Sequence, residues 1–161
     1  MEADERTFER FYERERDRVY RILSVAMPAG DAAEATAEAF VRAYVRWRSV
    51  RWHPNPVGWV VTTALNYQRS RWRRRTIVAS LPAASSSPPE EPLDPVIVRA
   101  LRALPRRQRE VVVLRFLCDL STEQTASLLG IAPGTVTAHV HRSMTTLREA
   151  LSDLEEEARR G

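Results

Sequence analysis

Residues 76–95 constrain the fold more than any other stretch of this 161-residue chain. They read TIVASLPAASSSPPEEPLDP, with five prolines, four serines and no arginine. Proline cannot donate a backbone hydrogen bond and breaks helices, so this stretch cannot form one continuous helix. Its composition is typical of a tether between folded units. We therefore predict two small units, residues 1–75 and 95–161, joined by a flexible linker at 76–94.

The first half places apolar side chains three and four residues apart, which is the spacing of an amphipathic helix. The first such stripe comprises Phe8, Phe11, Tyr12, Val19, Ile22, Leu23 and Ala26. Pro28 and Gly30 are expected to end this helix, and Asp31 with Glu34 resembles a capping box that opens the next one. The core stripe of this second helix comprises Ala33, Phe40, Ala43, Tyr44 and Trp47.

A third helix is predicted to begin at Asn55 and Pro56, because Asn caps helices and Pro suits the first helical position. Its buried side is expected to comprise Val57, Val61, Ala64, Leu65 and Trp72. Its polar face is expected to comprise Trp59, Thr62, Asn66, Arg69, Ser70 and Arg73. Three amphipathic helices in sequence predict a three-helix bundle for the first unit.

The second half shows helical spacing as well, with one helix near 95–103 and another from about Pro105 to Leu117. Their predicted core positions are Val96, Ala100, Leu101, Leu104, Val111, Val112 and Leu114. Ser121 and Gln124 form a second capping-box pattern, which opens a short helix before a final long one. The core positions of these two are Ala126, Leu128, Leu129, Val136, Val140, Ser143, Leu147 and Leu151. No stretch alternates as a strand would, so the predicted fold class is all-α.

A short capped helix, a glycine turn and a second helix follow one another within 121–149, which is a helix-turn-helix pattern. Gly130 permits the left-handed turn, and Ile131 fills the gap beneath it. The predicted contacts to duplex DNA are Thr135, Thr137, Ala138, His141 and Arg142, with Thr145 on the same outward face. Small side chains suit close approach to a major groove, and arginine suits phosphate or guanine. The pattern also fits an ordinary corner between two helices.

Residues 49–75 carry six arginines and no acid, whereas the first 48 residues carry ten acids and nine arginines. An acid-free basic block favours a polyanionic partner. On the third helix, aromatic, amide and arginine side chains share one face, which suits stacked single-stranded bases. The side chains predicted to contact such bases are Trp59, Thr62, Asn66, Arg69 and Arg73. Two alternatives stay open: RSRWRRR at the helix end complements the helix dipole, and Trp59 packs under the loop 49–55.

Several classes of function are disfavoured by what the sequence lacks. The single Cys118 excludes an internal disulfide and a multi-cysteine zinc site, and we expect it to be a structural thiol. His53, His139 and His141 show no spacing typical of a metal site or a catalytic triad, so we expect no metal, no cofactor and no enzyme. There is no long apolar run and no signal-peptide core, which predicts a cytoplasmic protein.

Three segments, taken together, resemble the extracytoplasmic function (ECF) sigma factors of the sigma-70 class, and in particular the actinobacterial SigE-type subfamily. They are NPVGWVVTTALNYQRSRWRRR at 55–75, ALPRRQREVVVLRF at 103–116 and LSTEQTASLLGIAPGTVTAHVHRSMTTLREAL at 120–151. The resemblance implies a sigma region 2 domain at 1–75, which binds core RNA polymerase and the promoter −10 element. It implies a region 4 helix-turn-helix domain at 95–161, which binds the −35 element.

The resemblance also implies partners and sites. The helix at 31–48 would dock on the clamp helices of the largest polymerase subunit, with contacts at Glu34, Glu38, Val41 and Val45. Residues 49–66 would capture −10 bases as the duplex melts, and the helix from Gly134 would read the −35 duplex. The implied partners are core RNA polymerase, through its clamp helices and flap, and promoter DNA, with an anti-sigma factor as a further candidate.

The sequence departs from the family at two places. Where the family carries an acidic-amide pattern, residues 33–38 read AEATAE, so Ala37 replaces the usual amide. Val41 and Val45, on the same outward side, can supply apolar docking instead. Ala132 replaces the usual serine N-cap of the recognition helix, a loss that costs about 1 kcal/mol.

The alternative function is a LuxR-type helix-turn-helix regulator, because residues 106–147 fit that pattern too. In such a protein the N-terminal bundle would sense a ligand or partner, and the protein would dimerise on a palindrome. The arginine block at 49–75 favours the sigma factor, since a sensor domain does not need it.

Overall fold

The computed structural model describes residues 1–75 and 94–161, and within these ranges the chain is helical with no strand. The all-α prediction is confirmed. The chain divides into two compact units between Pro89 and Glu90. The predicted linker, apart from Asp94, lies outside the described residues. No helix in the described ranges is both long and apolar enough to cross a membrane.

The first unit is a bundle of three long helices with one extra turn. Its elements are α1 (Glu2–Ala26), α2 (Ala29–Val45), α3 (Trp47–Val50) and α4 (Pro56–Arg75). Helix α2 packs against both α1 and α4. The fully buried alanines of α2 are Ala32, Ala35, Ala39 and Ala43. Because alanine side chains are short, they let α1 and α4 approach the α2 backbone closely.

Aromatic rings close the end of this bundle where α2 meets α3. The ring of Phe11 lies 5.9 Å from that of Phe40 and 5.1 Å from that of Trp47. Phe8 meets Trp47 edge-on at 5.4 Å. Such geometries add to the stabilisation that comes from burying the rings. The predicted burial of Phe11, Phe40 and Trp47 is confirmed.

The predicted start of the second helix is wrong. Helix α2 begins at Ala29, with Pro28 as an N-cap that makes no side-chain hydrogen bond, and Gly30 lies inside the helix. Met27 and Pro28 suffice to turn the chain, so no capping box forms at Asp31 and Glu34. Asp31 instead lies buried in the first turn, where a negative charge is stabilised by the unpaired N–H groups of the helix start.

The predicted start of the third helix is correct. The side-chain oxygen of Asn55 accepts a hydrogen bond from the Gly58 N–H at 2.8 Å, and Pro56 occupies the first helical position. Of the predicted buried side, Val57, Val61, Ala64 and Leu65 are buried.

Four residues predicted to lie in the core are substantially exposed: Tyr12, Tyr44, Trp72 and Val96. Tyr44 lies at the rim because the alanines of α2 occupy the buried face, and its ring packs 5.1 Å from Phe8. Trp72 lies near the end of α4, and Val96 lies in the first turn of a helix, where fewer neighbours cover a side chain. The predicted core residues that are half-buried are Phe8, Ala26, Ala33, Leu128, Val140, Leu147 and Leu151.

The second unit comprises four α-helices and a π-helical turn. Its elements are α5 (Pro95–Arg102), α6 (Arg106–Val112), the π-helical turn (Val113–Leu117), α7 (Thr122–Leu129) and α8 (Pro133–Arg160). The predicted helix up to Leu117 therefore changes its winding after Val112. The Cys118 N–H bonds to the Val113 carbonyl at 3.1 Å, which is the five-residue step of a π-helix.

The helix-turn-helix forms as predicted. The Ser121 and Gln124 capping box is complete, with the two reciprocal hydrogen bonds at 2.9 Å and 3.0 Å. Gly130 adopts the left-handed conformation at φ 67° and ends α7. Helix α8 begins at Pro133, its N-cap Ala132 makes no side-chain bond, and Val136 is fully buried.

Candidate nucleic-acid interface

The first candidate surface is the outward face of α8. All five residues predicted to contact duplex DNA are solvent-exposed: Thr135, Thr137, Ala138, His141 and Arg142. The full burial of Val136 fixes which way this face points. From Pro133 to Arg148 the helix carries no acid, the first being Glu149. This part of the helix can therefore approach a polyanion without repulsion from acids of its own.

A buried carboxylate on α6, which packs against α8, is shared by two partly exposed arginines. The carboxylate of Glu110 is buried and lies 3.2 Å from the Arg106 guanidinium and 3.0 Å from that of Arg107. Arg107 also donates to the Leu129 carbonyl at 3.4 Å, at the end of α7. Arg107 thus connects α6 to the turn that precedes α8. The sequence interpretation missed both features: the spacing of three and four residues was a signal for the Arg–Glu pairs, but nothing local signalled the bond to Leu129.

The second candidate surface is the loop 51–55, between α3 and α4. The indole of Trp52 is 77% exposed, which makes it one of the most exposed aromatic side chains among the described residues. The guanidinium of Arg51 lies 5.1 Å from the centre of the Trp52 ring. At the other end of the loop, the Asn55 N–H donates to His53 Nδ1 at 3.0 Å. The sequence interpretation assigned the loop to melted DNA but did not single out Trp52.

The polar face of α4 differs from the prediction at one residue. Asn66 and Arg73 are exposed, and Trp59 and Arg69 are half-buried. Thr62 is buried at 4% exposure, so its assignment to the strand-binding face is wrong. At about 100° per residue Thr62 lies between Arg69 and Arg73, inside the predicted arc, so its burial comes from the helices packed against α4 and from its short side chain. Thr63, which was not predicted, lies with Trp59 and Asn66 instead.

An open groove of about 430 Å³ runs between α2 and α4. Its lining is Val41, Arg42, Val45, Arg46, Trp59, Thr63 and Asn66. The α2–α4 groove brings two predicted polymerase contacts, Val41 and Val45, beside two predicted strand contacts, Trp59 and Asn66. Two surfaces that were predicted as separate are therefore neighbours.

The two acids predicted to contact polymerase are engaged within the first unit. Glu34 accepts a hydrogen bond from the Tyr67 hydroxyl at 2.9 Å and forms an ion pair with Arg71. Glu38 pairs with Arg42, one turn along α2, at 3.0 Å. Burial, and then the hydrogen bond to Glu34, raises the pKa of Tyr67, so the phenol remains a neutral donor. Glu34 therefore joins α2 to α4 in addition to facing solvent.

Part of the positive charge of the arginine block at 49–75 is neutralised by acids of other helices. Arg51 forms an ion pair with Asp4 of α1, and Arg71 forms one with Glu34 of α2. Counting charges along a segment missed these partners because both acids come from other helices. The side chain of Arg75 lies outside the described part of the chain.

Cys118, the single cysteine, is free and buried at 1% exposure, as expected for a structural thiol. Within residues 1–75 and 94–161 no cluster of three or more His, Cys, Asp or Glu side chains could hold a metal ion.

Both halves of the chain match models of one protein family. Residues 11–77 match Sigma-70 region 2, and residues 96–147 match Sigma-70, region 4. The chain belongs to the ECF sigma factors of the sigma-70 class. It therefore binds core RNA polymerase and promoter DNA and directs transcription initiation.

Curated relatives agree with this assignment along nearly the whole chain. The RNA polymerase sigma-E factor of Streptomyces coelicolor is 30% identical over 89% of this chain and 85% of its own. That of Streptomyces avermitilis is 31% identical over 94% and 89%. Among solved structures, the sigma factor RpoE, in complex with the anti-sigma factor NepR from Bartonella quintana, superposes with a TM-score of 0.70 at 24% identity. It covers 91% of this chain and 97% of that one, and the likeness shows the fold.

The region 2 match decides between the two functions that the sequence left open. A LuxR-type regulator shares only a helix-turn-helix with this sigma factor, whereas the match at 11–77 covers the bundle that such a regulator would use as a sensor. Nothing among these comparisons supports the regulator.

Proposed function

We propose that this sigma factor divides promoter recognition between its units: the first captures the melted −10 strand and docks on core polymerase, and the second reads the −35 duplex. The observation that carries the proposal is that the two units expose surfaces of different kinds. The first exposes an aromatic ring on a loop and a groove of mixed polar and apolar lining, and the second exposes a helix face that carries no acid from Pro133 to Arg148. Single strands reward stacking, whereas duplex reading requires a helix that fits a groove of fixed width.

In the second unit, α8 acts as the recognition helix in the major groove. Thr135, Thr137 and Ala138 are short and exposed, so the N-terminal part of α8 can approach the base edges closely. One turn further along, His141 and Arg142 reach base edges or phosphates. Arginine makes two parallel hydrogen bonds with guanine, so Arg142 is the residue we assign to base discrimination.

In the first unit, bases that leave the duplex bind the exposed Trp52 ring and the α4 wall of the α2–α4 groove, whereas Val41 and Val45 of the α2 wall are assigned to polymerase. Extracting a base costs a few kcal/mol, which stacking on an aromatic ring and pocket contacts recover. Trp59, Thr63 and Asn66 supply an aromatic, a hydroxyl and an amide along one wall of the groove. Arg69 and Arg73 lie further along α4, where they are assigned to the strand backbone. Thr62 is left out because its side chain is buried.

Docking on core polymerase is assigned to the exposed stripe of α2. Val41 is 58% exposed and Val45 is 76% exposed, and exposed valines on neighbouring turns suit an apolar contact with another helix. Glu38, at the edge of the same stripe, supplies a charge to fix the orientation. The polymerase elements assigned to this protein are the clamp helices of the largest subunit for the first unit and the flap for the second.

Four further assignments rest on the family. The protein acts in the cytoplasm, where promoters and polymerase are, and it catalyses no reaction and needs no cofactor. An anti-sigma factor is assigned as a regulatory partner, since the solved structure of RpoE is a complex with the anti-sigma factor NepR. The domain roles follow the predicted boundaries, with region 2 at 1–75 and region 4 at 95–161.

In vitro transcription with core polymerase and a genomic promoter library tests the proposal. Promoters selected by the wild-type protein are transcribed again with an Arg142→Ala variant and with a Trp52→Ala and Asn66→Ala double variant. We expect Arg142→Ala to change which −35 sequences are selected, and the double variant to reduce opening without changing −35 preference. Identical promoter selection and opening by all three proteins would contradict the division of labour.

A further inference from the structure

The first turn of α1 is bonded to the start of the loop 51–55, some 47 positions further along the chain. One carboxylate oxygen of Asp4 pairs with the Arg51 guanidinium, and the other lies 3.5 Å from Arg48. The side chains of Asp4 and Arg51 are only 27% and 33% exposed, so this pair is partly shielded from solvent. Partial burial strengthens an ion pair relative to one on an open surface.

Asp4 is itself held in place, although it lies near the chain terminus. The Thr7 hydroxyl donates to the Asp4 carbonyl at 2.9 Å, and the Trp47 indole N–H donates to the Thr7 hydroxyl oxygen at 2.9 Å. Trp47 is buried at 7% exposure and belongs to the aromatic core. A chain of hydrogen bonds therefore connects the first turn of α1 to the buried aromatic core.

The same contacts determine how Trp52 is presented. Arg51, with its guanidinium fixed by Asp4, lies 5.1 Å from the centre of the Trp52 ring, within the range of a cation–π contact. The Trp52 ring is nonetheless 77% exposed, so one side remains open to a stacking partner. The far end of the loop is fixed separately, by His53 and Asn55 and by the Asn55 cap of α4. The loop is thus anchored on both sides of an exposed ring.

We propose that Asp4 is a positioning residue for promoter opening, which holds Arg51 under Trp52 so that the ring is already placed to stack on a base that leaves the duplex. The inference rests on the proposed role of the loop in strand capture. Preorganisation reduces the ordering cost that a mobile loop would incur at the moment of binding. Asp4 touches no DNA and acts only through Arg51 and Trp52.

The test compares the full-length Asp4→Asn variant with wild type in polymerase holoenzyme, on a duplex promoter selected from the genomic library. The rate of opening is followed by permanganate reactivity of the −10 thymines. Glu2→Gln is the matched control, since it removes one carboxylate charge from the same helical turn. We expect Asp4→Asn to slow opening roughly two- to fivefold, because that is the change in rate that corresponds to losing the contribution of a partly exposed ion pair. Core binding, measured in parallel, should be the same for all variants.

A Trp52→Ala background separates positioning from a general structural role. If Asp4 acts through Trp52, Asp4→Asn slows opening in the wild-type background and has no further effect in Trp52→Ala. An equal slowing in both backgrounds overturns the inference, as does an Asp4→Asn rate no lower than that of Glu2→Gln. If Trp52→Ala itself opens the promoter at the wild-type rate, the proposed role of the loop fails, and the inference fails with it.

Discussion

The phenol of Tyr67 donates a hydrogen bond to the carboxylate of Glu34 across 2.9 Å, and this bond joins α4 to α2. Arg71, one turn further along α4, forms an ion pair with the same carboxylate. The two contacts fix the spacing of the helices whose other ends form the α2–α4 groove. Burial is the largest cause of the raised pKa of Tyr67, followed by the hydrogen bond to Glu34.

Tyr67→Phe should therefore change how stability depends on alkaline pH. The pKa of Tyr67 is raised above 10.0 in the folded chain, so its contribution is fully present below that value. The contribution is lost as the pH rises through the raised folded value, because the phenolate cannot donate to Glu34. At neutral pH, Tyr67→Phe should lower the free energy of unfolding by about 0.5–1.5 kcal/mol. As the pH rises above about 10 and through the raised folded pKa of Tyr67, the wild type should lose more stability than the variant.

Thermal denaturation at a series of pH values measures this difference. Tyr44→Phe is the control, because Tyr44 lies on α2 but is 50% exposed. If wild type and Tyr67→Phe lose the same stability across the alkaline range, the hydrogen bond does not contribute as described.

Glu110→Gln should destabilise the second unit. The variant leaves Arg106 and Arg107 without the buried carboxylate that they share, and it weakens the connection from Arg107 to Leu129. Because both guanidinium groups remain partly solvated, we expect a loss of about 1–3 kcal/mol in the free energy of unfolding. Chemical denaturation followed by circular dichroism measures it. Glu149→Gln, an exposed acid on α8, should change stability by less than about 0.5 kcal/mol.

The helices themselves were largely predictable because their signals are local. The Ser121 and Gln124 box, the Asn55 and Pro56 pair and Gly130 each specify a helix end through contacts within four residues. At the start of α2 the local pattern gave a wrong prediction. Asp31 and Glu34 match a capping box, but the helix already begins at Ala29, after Pro28. A local pattern cannot show which of two adjacent starts the packing selects.

The candidate sites were less predictable because they depend on contacts between distant segments. Asp4 and Arg51 are 47 positions apart, and Glu34 and Arg71 are 37 apart, so counting charges within 49–75 overstated its free positive charge. The burial of Thr62 could not be predicted from periodicity, because Thr62 lies within the arc of the polar face and is covered by neighbouring helices. The exposure of Trp52 could not be read from periodicity, since a loop has none.

Glu38→Ala combined with Val41→Ser should weaken binding to core polymerase. Val41 is 58% exposed on the proposed docking stripe, and Glu38 lies one turn before it. Removing an apolar contact and a charge from one small patch should raise the dissociation constant by about tenfold, which corresponds to about 1.4 kcal/mol. Co-purification or a fluorescence titration with core enzyme measures it, with helicity checked by circular dichroism. Glu13→Ala, an exposed acid on α1, is the control. Unchanged core binding by the double variant would show that the docking surface lies elsewhere.

Arg142→Ala should reduce promoter discrimination at one position of the −35 element. If Arg142 reads a base, discrimination there should fall by about 1–3 kcal/mol, whereas a phosphate contact would weaken all sequences alike and lower the salt dependence. Binding to a set of −35 variants at two salt concentrations distinguishes these results. Arg148→Ala removes the same charge from α8, six residues further along, and should leave discrimination unchanged. If Arg142→Ala affects neither discrimination nor affinity, α8 is not the recognition helix.

Trp59→Ala combined with Asn66→Ala should impair opening of a duplex promoter far more than use of the same promoter pre-melted at −10. Both side chains line the α2–α4 groove, where the proposal places bases that have left the duplex. On the duplex template, each base must first leave its stack, and stacking on the protein, at about 1–3 kcal/mol for each base, offsets that cost. On the pre-melted template the −10 bases are already unpaired, so less binding energy is needed.

Permanganate footprinting on the two templates measures the difference. Thr62→Val is the matched control, because Thr62 belongs to the same helix but is buried at 4% exposure, and it should leave strand capture unchanged. Thr63→Val, which alters the adjacent side chain inside the groove, should give a smaller loss in the same direction as the double variant. If the double variant opens both templates as the wild type does, the first unit takes no part in promoter opening through this groove.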